Sequence, residues 1–281
     1  MLTIGIHHTL QVLRKTTVGL YLGNGIDEVL LPNKYVPNSI ELGASIRVFV
    51  YLDSSERVIA TTLEPLIKLN TFALLKVAQT NDIGAFLYWG LEKHLFVPFN
   101  EQATKMIEGQ DYVVYCYLDE LTDRLIASSK INKFTSNQEL TVKKFDEVDL
   151  LVTHISDIGV NVIINQCHRG LIYHDELFQP LHIGEQLKGT IKLIRPDHKI
   201  DVSLQPIGYK NIEPNAKFLL ECLNQQNGFI GLHDNSPAEE IHAALNMSKK
   251  NFKKAVGSLF KQKVILLKEN GIQLITKETN N

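Results

Sequence analysis

Ile158-Gly159-Val160-Asn161-Val162 opens a run that continues as Gly170-Leu171-Ile172-Tyr173-His174-Asp175-Glu176-Leu177, passes Gly184, and closes as His198-Lys199-Ile200-Asp201-Val202-Ser203-Leu204. Short β-branched and alternating segments are separated by turn residues, and no amphipathic helical period runs long enough to compete. The run therefore reads as about five short strands. Alternation places Val160 and Val162 on one face of a strand and Asn161 on the other. One face can fill a small barrel, and the other is left for solvent or a ligand.

Two earlier segments share this pattern. The first reads Val18-Gly19-Leu20-Tyr21-Leu22, Leu30-Leu31-Pro32, Gly43 and Arg57-Val58-Ile59-Ala60-Thr61-Thr62. The second reads Ile83-Gly84-Ala85-Phe86-Leu87, Phe96-Val97-Pro98, Gly109 and Arg124-Leu125-Ile126-Ala127-Ser128-Ser129. Glycine spacing is 24 positions in the first copy (Gly19 to Gly43) and 25 in the other two (Gly84 to Gly109, Gly159 to Gly184). A repeat of this kind means three consecutive units of one architecture. In this register Arg57, Arg124 and His198 align before the last strand. Polar runs precede that strand, Asp53-Ser54-Ser55-Glu56 in the first copy and Arg195-Pro196-Asp197 in the third, as a hairpin requires.

The chain has 281 residues, more than one ordinary core accommodates, and its 44% apolar and 21% charged residues are those of a folded protein rather than a disordered one. Met1 to Leu10 hold no basic stretch followed by a long apolar run, and no apolar stretch reaches the ~18 to 20 residues that span a bilayer. A cytoplasmic protein without membrane association is the expectation. Cys116, Cys167 and Cys222 are odd in number and far apart, which fits a reducing compartment and argues against a disulfide framework. The net charge of -2 conceals an asymmetry: residues 1–210 carry 20 basic and 24 acidic side chains, whereas residues 211–281 carry 9 and 7. From Asn246 to Lys268 there are seven lysines and no acid.

After Pro206 and Gly208 the period becomes helical, with Ala216, Leu219, Leu220 and Leu223 on one side and Gly228 as a stop. Ser236-Pro237-Ala238-Glu239 has the form of a capping box with proline at the first helical position. Asn246-Met247 forms a turn, Ser248 can cap a third helix, and Asn270-Gly271 is placed at the tip of a following hairpin. This order, two helices joined by a short turn and then a hairpin, resembles a winged helix. On the third helix Phe252, Val256, Leu259 and Phe260 are read as the apolar face, and Lys250, Lys253, Lys254, Gly257 and Lys261 as the opposite, basic one. A strip of lysines with no arginine and few amides suits phosphate more than base edges.

The repeats resemble the RNA-binding domain first described in ribosomal protein S-one, a five-stranded oligonucleotide-binding barrel. The third copy resembles it best, through Gly170 to Leu177, Gly184 and Lys199 to Leu204. The resemblance implies an RNA-facing set of a strand aromatic, a histidine or aromatic after Gly-Leu, and a basic residue at the last strand. By position these are Tyr21, Pro32 and Arg57; Phe86, Pro98 and Arg124; and Asn161, Tyr173 with the adjoining His174, and His198. No copy has the full set, so each barrel alone is expected to bind weakly.

Taken whole, the chain resembles the bacterial conserved virulence factor B family, most specifically from Ser236 to Lys263, through Asn246-Met247-Ser248-Lys249-Lys250, Phe252-Lys253-Lys254-Ala255-Val256-Gly257 and Leu259-Phe260-Lys261-Gln262-Lys263. That resemblance implies RNA binding in the regulation of gene expression. The expected organisation is a multidomain chain: five-stranded OB-fold barrels at 1–66, 70–132 and 150–208, and an α+β winged-helix domain at 212–277. Single-stranded RNA is the expected partner, with DNA as the alternative. No cofactor, metal or catalysis is expected, since the phosphate loop, His-Glu-x-x-His and Gly-x-Ser-x-Gly patterns are missing. Cys167, His168, His174 and Asp175 lack the geometry of a metal site, and Asp119, Glu120 and Asp123 read as turn residues. Two other readings remain: a DNA-binding regulator whose barrels are spacers, and a protein-interaction scaffold.

Overall fold

The glycine-punctuated alternation yields three closed β-barrels, and the helical segment yields a three-helix unit with a small sheet. The computed structural model describes residues 2–177, 180–204, 214–261 and 264–275. The chain divides into two compact units, 1–202 and 203–281. Pro206, Gly208, Gln262, Lys263 and the expected domain limits at 208, 212 and 277 lie outside the described residues.

The first barrel comprises β1 (His7–Lys15), β2 (Gly19–Gly23), β3 (Glu28–Pro32), β4 (Ser45–Leu52) and β5 (Val58–Thr61). The second comprises β6 (Thr71–Thr80), β7 (Gly84–Tyr88), β8 (Leu95–Pro98), β9 (Asp111–Asp119) and β10 (Arg124–Ser128). The third comprises β11 (Glu147–Ser156), β12 (Gly159–Ile164), β13 (His168–Tyr173), β14 (Gln186–Ile194) and β15 (Ile200–Ser203). In each, the third strand pairs with the fifth in parallel, which closes the sheet. The long first strand shifts register at one equivalent place in all three copies, at Val12/Arg14, Val77/Gln79 and Val152/His154. Such a bulge bends the strand and helps the barrel close. The repeated glycine has a steric cause. A Cβ on Gly19, Gly84 or Gly159 would stand 2.1, 2.3 or 2.2 Å from the carbonyl oxygen of Leu31, Val97 or Ile172.

Leu20 and Leu22, Ala85 and Leu87, and Val160 and Val162 point inward and are buried, while Tyr21, Phe86 and Asn161 stand half-exposed on the outer face. The last-strand alignment of the third copy is corrected by one residue. Leu30 pairs with Ile59 and Phe96 with Ile126, whereas Leu171 pairs with Asp201. Lys199, and not His198, therefore corresponds to Arg57 and Arg124. His198 corresponds to Glu56 and Asp123, and all three hold the left-handed corner of the preceding turn, at φ 60°, 59° and 54°. The misalignment arose because strand periodicity does not reveal which residue takes that corner.

Within the first unit, neighbouring barrels share apolar side chains. Trp89 of the second barrel meets Phe49 and Tyr51 of the first edge-on, at 5.9 and 6.3 Å. Phe72 and Val113 of the second barrel bury with Leu151 and Ile163 of the third, and the Phe72 N–H donates to the Gln166 side-chain oxygen at 2.5 Å. The connector from Ile131 to Asp149 is anchored rather than loose. Phe134 stacks on Tyr115 at 4.3 Å. Fully buried His168 faces the Ser136 carbonyl through Nδ1 at 2.7 Å and accepts the Thr141 N–H on Nε2 at 3.1 Å. Asn137 donates to the carbonyls of Arg169 and His198, both at 2.9 Å.

The second unit contains α1 (Pro214–Gln225), β16 (Phe229–Ile230), α2 (Ala238–Leu245), α3 (Lys249–Lys261), β17 (Ile265–Lys268) and β18 (Gly271–Leu274). Its strands lie in the order β16-β18-β17, and its core joins Leu219, Leu223, Ile241, Phe252, Leu259 and Ile272. Gly228, at φ 80°, closes α1 by donating to the Leu223 carbonyl at 2.7 Å. Ser248 caps α3 by accepting the Asn251 N–H at 3.3 Å. Two expectations are corrected. The Ser236 hydroxyl accepts the His233 N–H at 3.1 Å and does not cap α2, because the preceding turn claims it. The hairpin tip is Glu269-Asn270, since Lys268 pairs with Gly271, the first residue of the return strand.

Candidate nucleic-acid interface

The sheet geometry brings the outer faces of the first two barrels to one place. A hollow of about 560 Å³ is lined by Tyr21, Leu30, Pro32, Arg57 and Ile59 of the first barrel. A second, of about 370 Å³, is lined by Phe86, Phe96, Arg124 and Ile126 of the next. Both also use Tyr51, Ser54, Glu92 and Lys93, so the two hollows adjoin along one grooved junction. Phe86 leans on Phe96 with ring centres 5.1 Å apart, and the Arg14 guanidinium covers one face of Tyr21 at 3.9 Å.

The cations of this groove are already engaged. Arg57 donates to both sides of Asp53, with Nε and Nη2 at 2.9 and 2.7 Å from Oδ2 and its backbone N–H at 3.0 Å from Oδ1. Burial raises the Asp53 pKa, yet those bonds and the Ser55 N–H outweigh it and hold the carboxyl below its ordinary value. Glu56 reaches across the junction to Arg124 at 3.1 Å and Lys93 at 2.9 Å. Lys34 pairs with Glu92 at 2.5 Å, and Arg14 pairs with Glu28. An incoming phosphate must compete with these carboxylates.

The third barrel presents a different set. Arg195 donates to the Tyr173 hydroxyl, lies 5.8 Å from that ring's centre, and pairs with Asp201 at 3.0 Å. His174 is exposed and its Nε2 lies 2.8 Å from the Ser156 carbonyl oxygen. His198 is exposed in its turn, while Lys199 is exposed and paired with Asp197 at 2.8 Å. Tyr173 and His174 thus share one end of β13, away from the corner holding His198.

On α3, Lys250, Lys253, Lys254 and Lys261 are all exposed, opposite buried Phe252, Ala255, Val256 and Leu259. Among the described residues no carboxylate pairs with Lys250, Lys253 or Lys261. Phe260 was expected in the core and is not: it is 49% exposed. It sits at the rim of the apolar arc, within about 20° of Lys253 on the helix circumference, and the core is filled without it. Arg195 and Lys199 were not among the residues expected at the interface, and Phe260 was set on the apolar face. Only Phe260 carried a usable signal, its angular position.

No group of three or more metal-ligating side chains is found among the described residues, and none of their helices is long and apolar enough to cross a membrane. Residues 217–274 match the CvfB-like winged helix domain, and residues 4–63 match the S1 domain. YitL of Bacillus subtilis is 28% identical over 278 residues, covering 94% of this chain and 90% of its own. Conserved virulence factor B of Staphylococcus epidermidis is 24% identical over 249 residues, covering 85% and 83%. A crystal structure of a multidomain protein with nucleic acid binding domains from Streptococcus pneumoniae aligns over 97% of this chain and 99% of that one, at 21% identity and a TM-score of 0.43. The resemblance to the conserved virulence factor B family extends along most of the chain, and the matched domains are of nucleic-acid-binding types.

Proposed function

We propose that this chain, with S1-type barrels ahead of a CvfB-like winged helix, is a non-catalytic protein that binds single-stranded RNA and acts in regulating gene expression. The observation that carries the reading is a contrast in electrostatics. Barrel arginines Arg57, Arg124 and Arg195 are all tied to carboxylates, whereas Lys250, Lys253 and Lys261 meet none among the described residues. Paired arginines beside aromatics give weak, displaceable contacts at Tyr21, Phe86 and Tyr173. The lysines give phosphate contact with little base discrimination. Each module then adds to the next through effective concentration, because a strand held at one site is presented to its neighbours.

The test is a fluorescence-anisotropy titration of the full chain with oligo(U) RNA and with duplex DNA of equal length, each at low and moderate salt. The expected result is tighter binding to RNA, lost when Lys250, Lys253, Lys254 and Lys261 are changed together to Gln. A preference for the duplex makes the protein a DNA-binding regulator instead, and absence of binding to either in dilute buffer ends the nucleic-acid reading.

A further inference from the structure

Gly257 and Phe260 are two residues of α3 that the fold itself does not call for. Gly257 lies in the middle of the helix, where glycine is costly because its backbone loses the most freedom on ordering. No close packing demands it: a Cβ built there meets no atom within 4 Å. Phe260 spends half its surface in water while the core beneath is complete without it. On the helix circumference Gly257 lies between Lys253 and Lys261, each within about 40° of it, and Phe260 lies within about 20° of Lys253. The costly glycine therefore falls inside the lysine strip, and the wasted aromatic borders it, just past Lys253.

We infer that this strip receives an unpaired base: Phe260 stacks on it, Gly257 leaves the clearance for the sugar-phosphate to come close to the helix, and Lys253 and Lys261 hold the flanking phosphates. The inference rests on the RNA-binding reading above and sharpens it to a ligand class. A flat phenyl ring has nothing to read on the edge of a paired base, whereas a splayed base offers it a face. Lysine alone would accept duplex and single strand alike; the aromatic at its edge selects the single strand.

The full chain is titrated with oligo(U) RNA and with an abasic oligomer of the same length. Phe260→Ala and Phe260→Leu are expected to weaken oligo(U) binding roughly ten-fold while leaving the abasic strand unaffected, since only the base-dependent part is removed. Phe260→Trp is expected to restore binding. Gly257→Ala is expected to slow amide exchange in α3 and to weaken binding of both strands about three-fold or more, a rise in local order with a fall in affinity. A merely structural role for either residue moves both properties in the same direction. The inference is overturned if both Phe260 variants bind oligo(U) as the unmodified chain does, or if Gly257→Ala binds as well or better. If those variants are silent while Lys253→Gln still weakens oligo(U), the RNA-binding reading stands without this site. If the unmodified chain ignores oligo(U), both readings fall together.

Discussion

Asp53 shows how much one side chain governs in the first barrel: it closes the turn before β5 and pairs with the Arg57 guanidinium. Replacing it by Asn should cost ~1 kcal/mol, in the range for an exposed charge-assisted cluster. Because its carboxyl is held below the ordinary value, that contribution is present above the unfolded carboxylate range near pH ~4 and fades as pH falls below it. Urea unfolding of the unmodified chain and Asp53→Asn should therefore differ at pH 7 and converge near pH 3; a gap that persists in acid refutes the ionic account. The cysteines give a second expectation. Cys116 is buried and burial pushes its thiol up to about 12, whereas Cys167 is exposed. Iodoacetamide at pH 8 should alkylate Cys167 and spare Cys116, as read by mass spectrometry of the peptides. At this scale alternation alone was enough to turn Tyr21 and Phe86 outward. It could not foretell that Glu56 of one barrel would seize Arg124 of the next, since that pairing spans a tertiary junction. Nor could it foresee the left-handed corner that displaced His198 in favour of Lys199.

Strands, helices and their order were legible because burial imposes a period on sequence: two in β12, where Val160 and Val162 bury and Asn161 does not, and 3.6 in α3. The connector between the second and third barrels left no such trace. Its anchors are a ring stack at Phe134, side-chain bonds from Asn137 and backbone bonds to buried His168, and residues that make them follow no repeat. His168 is the centre of that arrangement, with both ring nitrogens engaged by residues 136 and 141. His168→Leu should strip the Ser136 carbonyl and the Thr141 N–H of their partner and cost ~1 to 2 kcal/mol. Limited proteolysis should then cut within residues 135–143 well before the barrels open. Equal resistance of the variant and the unmodified chain would show that Asn137 and Phe134 suffice.

Across the whole chain the dominant fact is an acidic first part whose groove-lining cations are paired, and a basic last part in which, among the described residues, Lys250, Lys253 and Lys261 meet no carboxylate. If four lysines of α3 carry the phosphate contact, the logarithm of affinity should fall against the logarithm of salt with a slope of about -3, and flatten in the fourfold Gln variant. A slope near zero would assign binding to the barrels. Glu56→Gln should act in the other direction. Releasing Arg124 and Lys93 should raise RNA affinity several-fold at low salt, and unchanged affinity would remove the barrel junction from the interface. Because each of the three sheets curls back so that its third and fifth strands meet, none offers an unclaimed row of amides and carbonyls. In a polypeptide holding three look-alike segments, an open border would invite one copy to finish its neighbour's sheet, in the nascent chain or on recovery from denaturant. Self-sufficiency of each copy is what makes such duplication survivable, and it leaves outward-facing side chains free to diverge without endangering assembly.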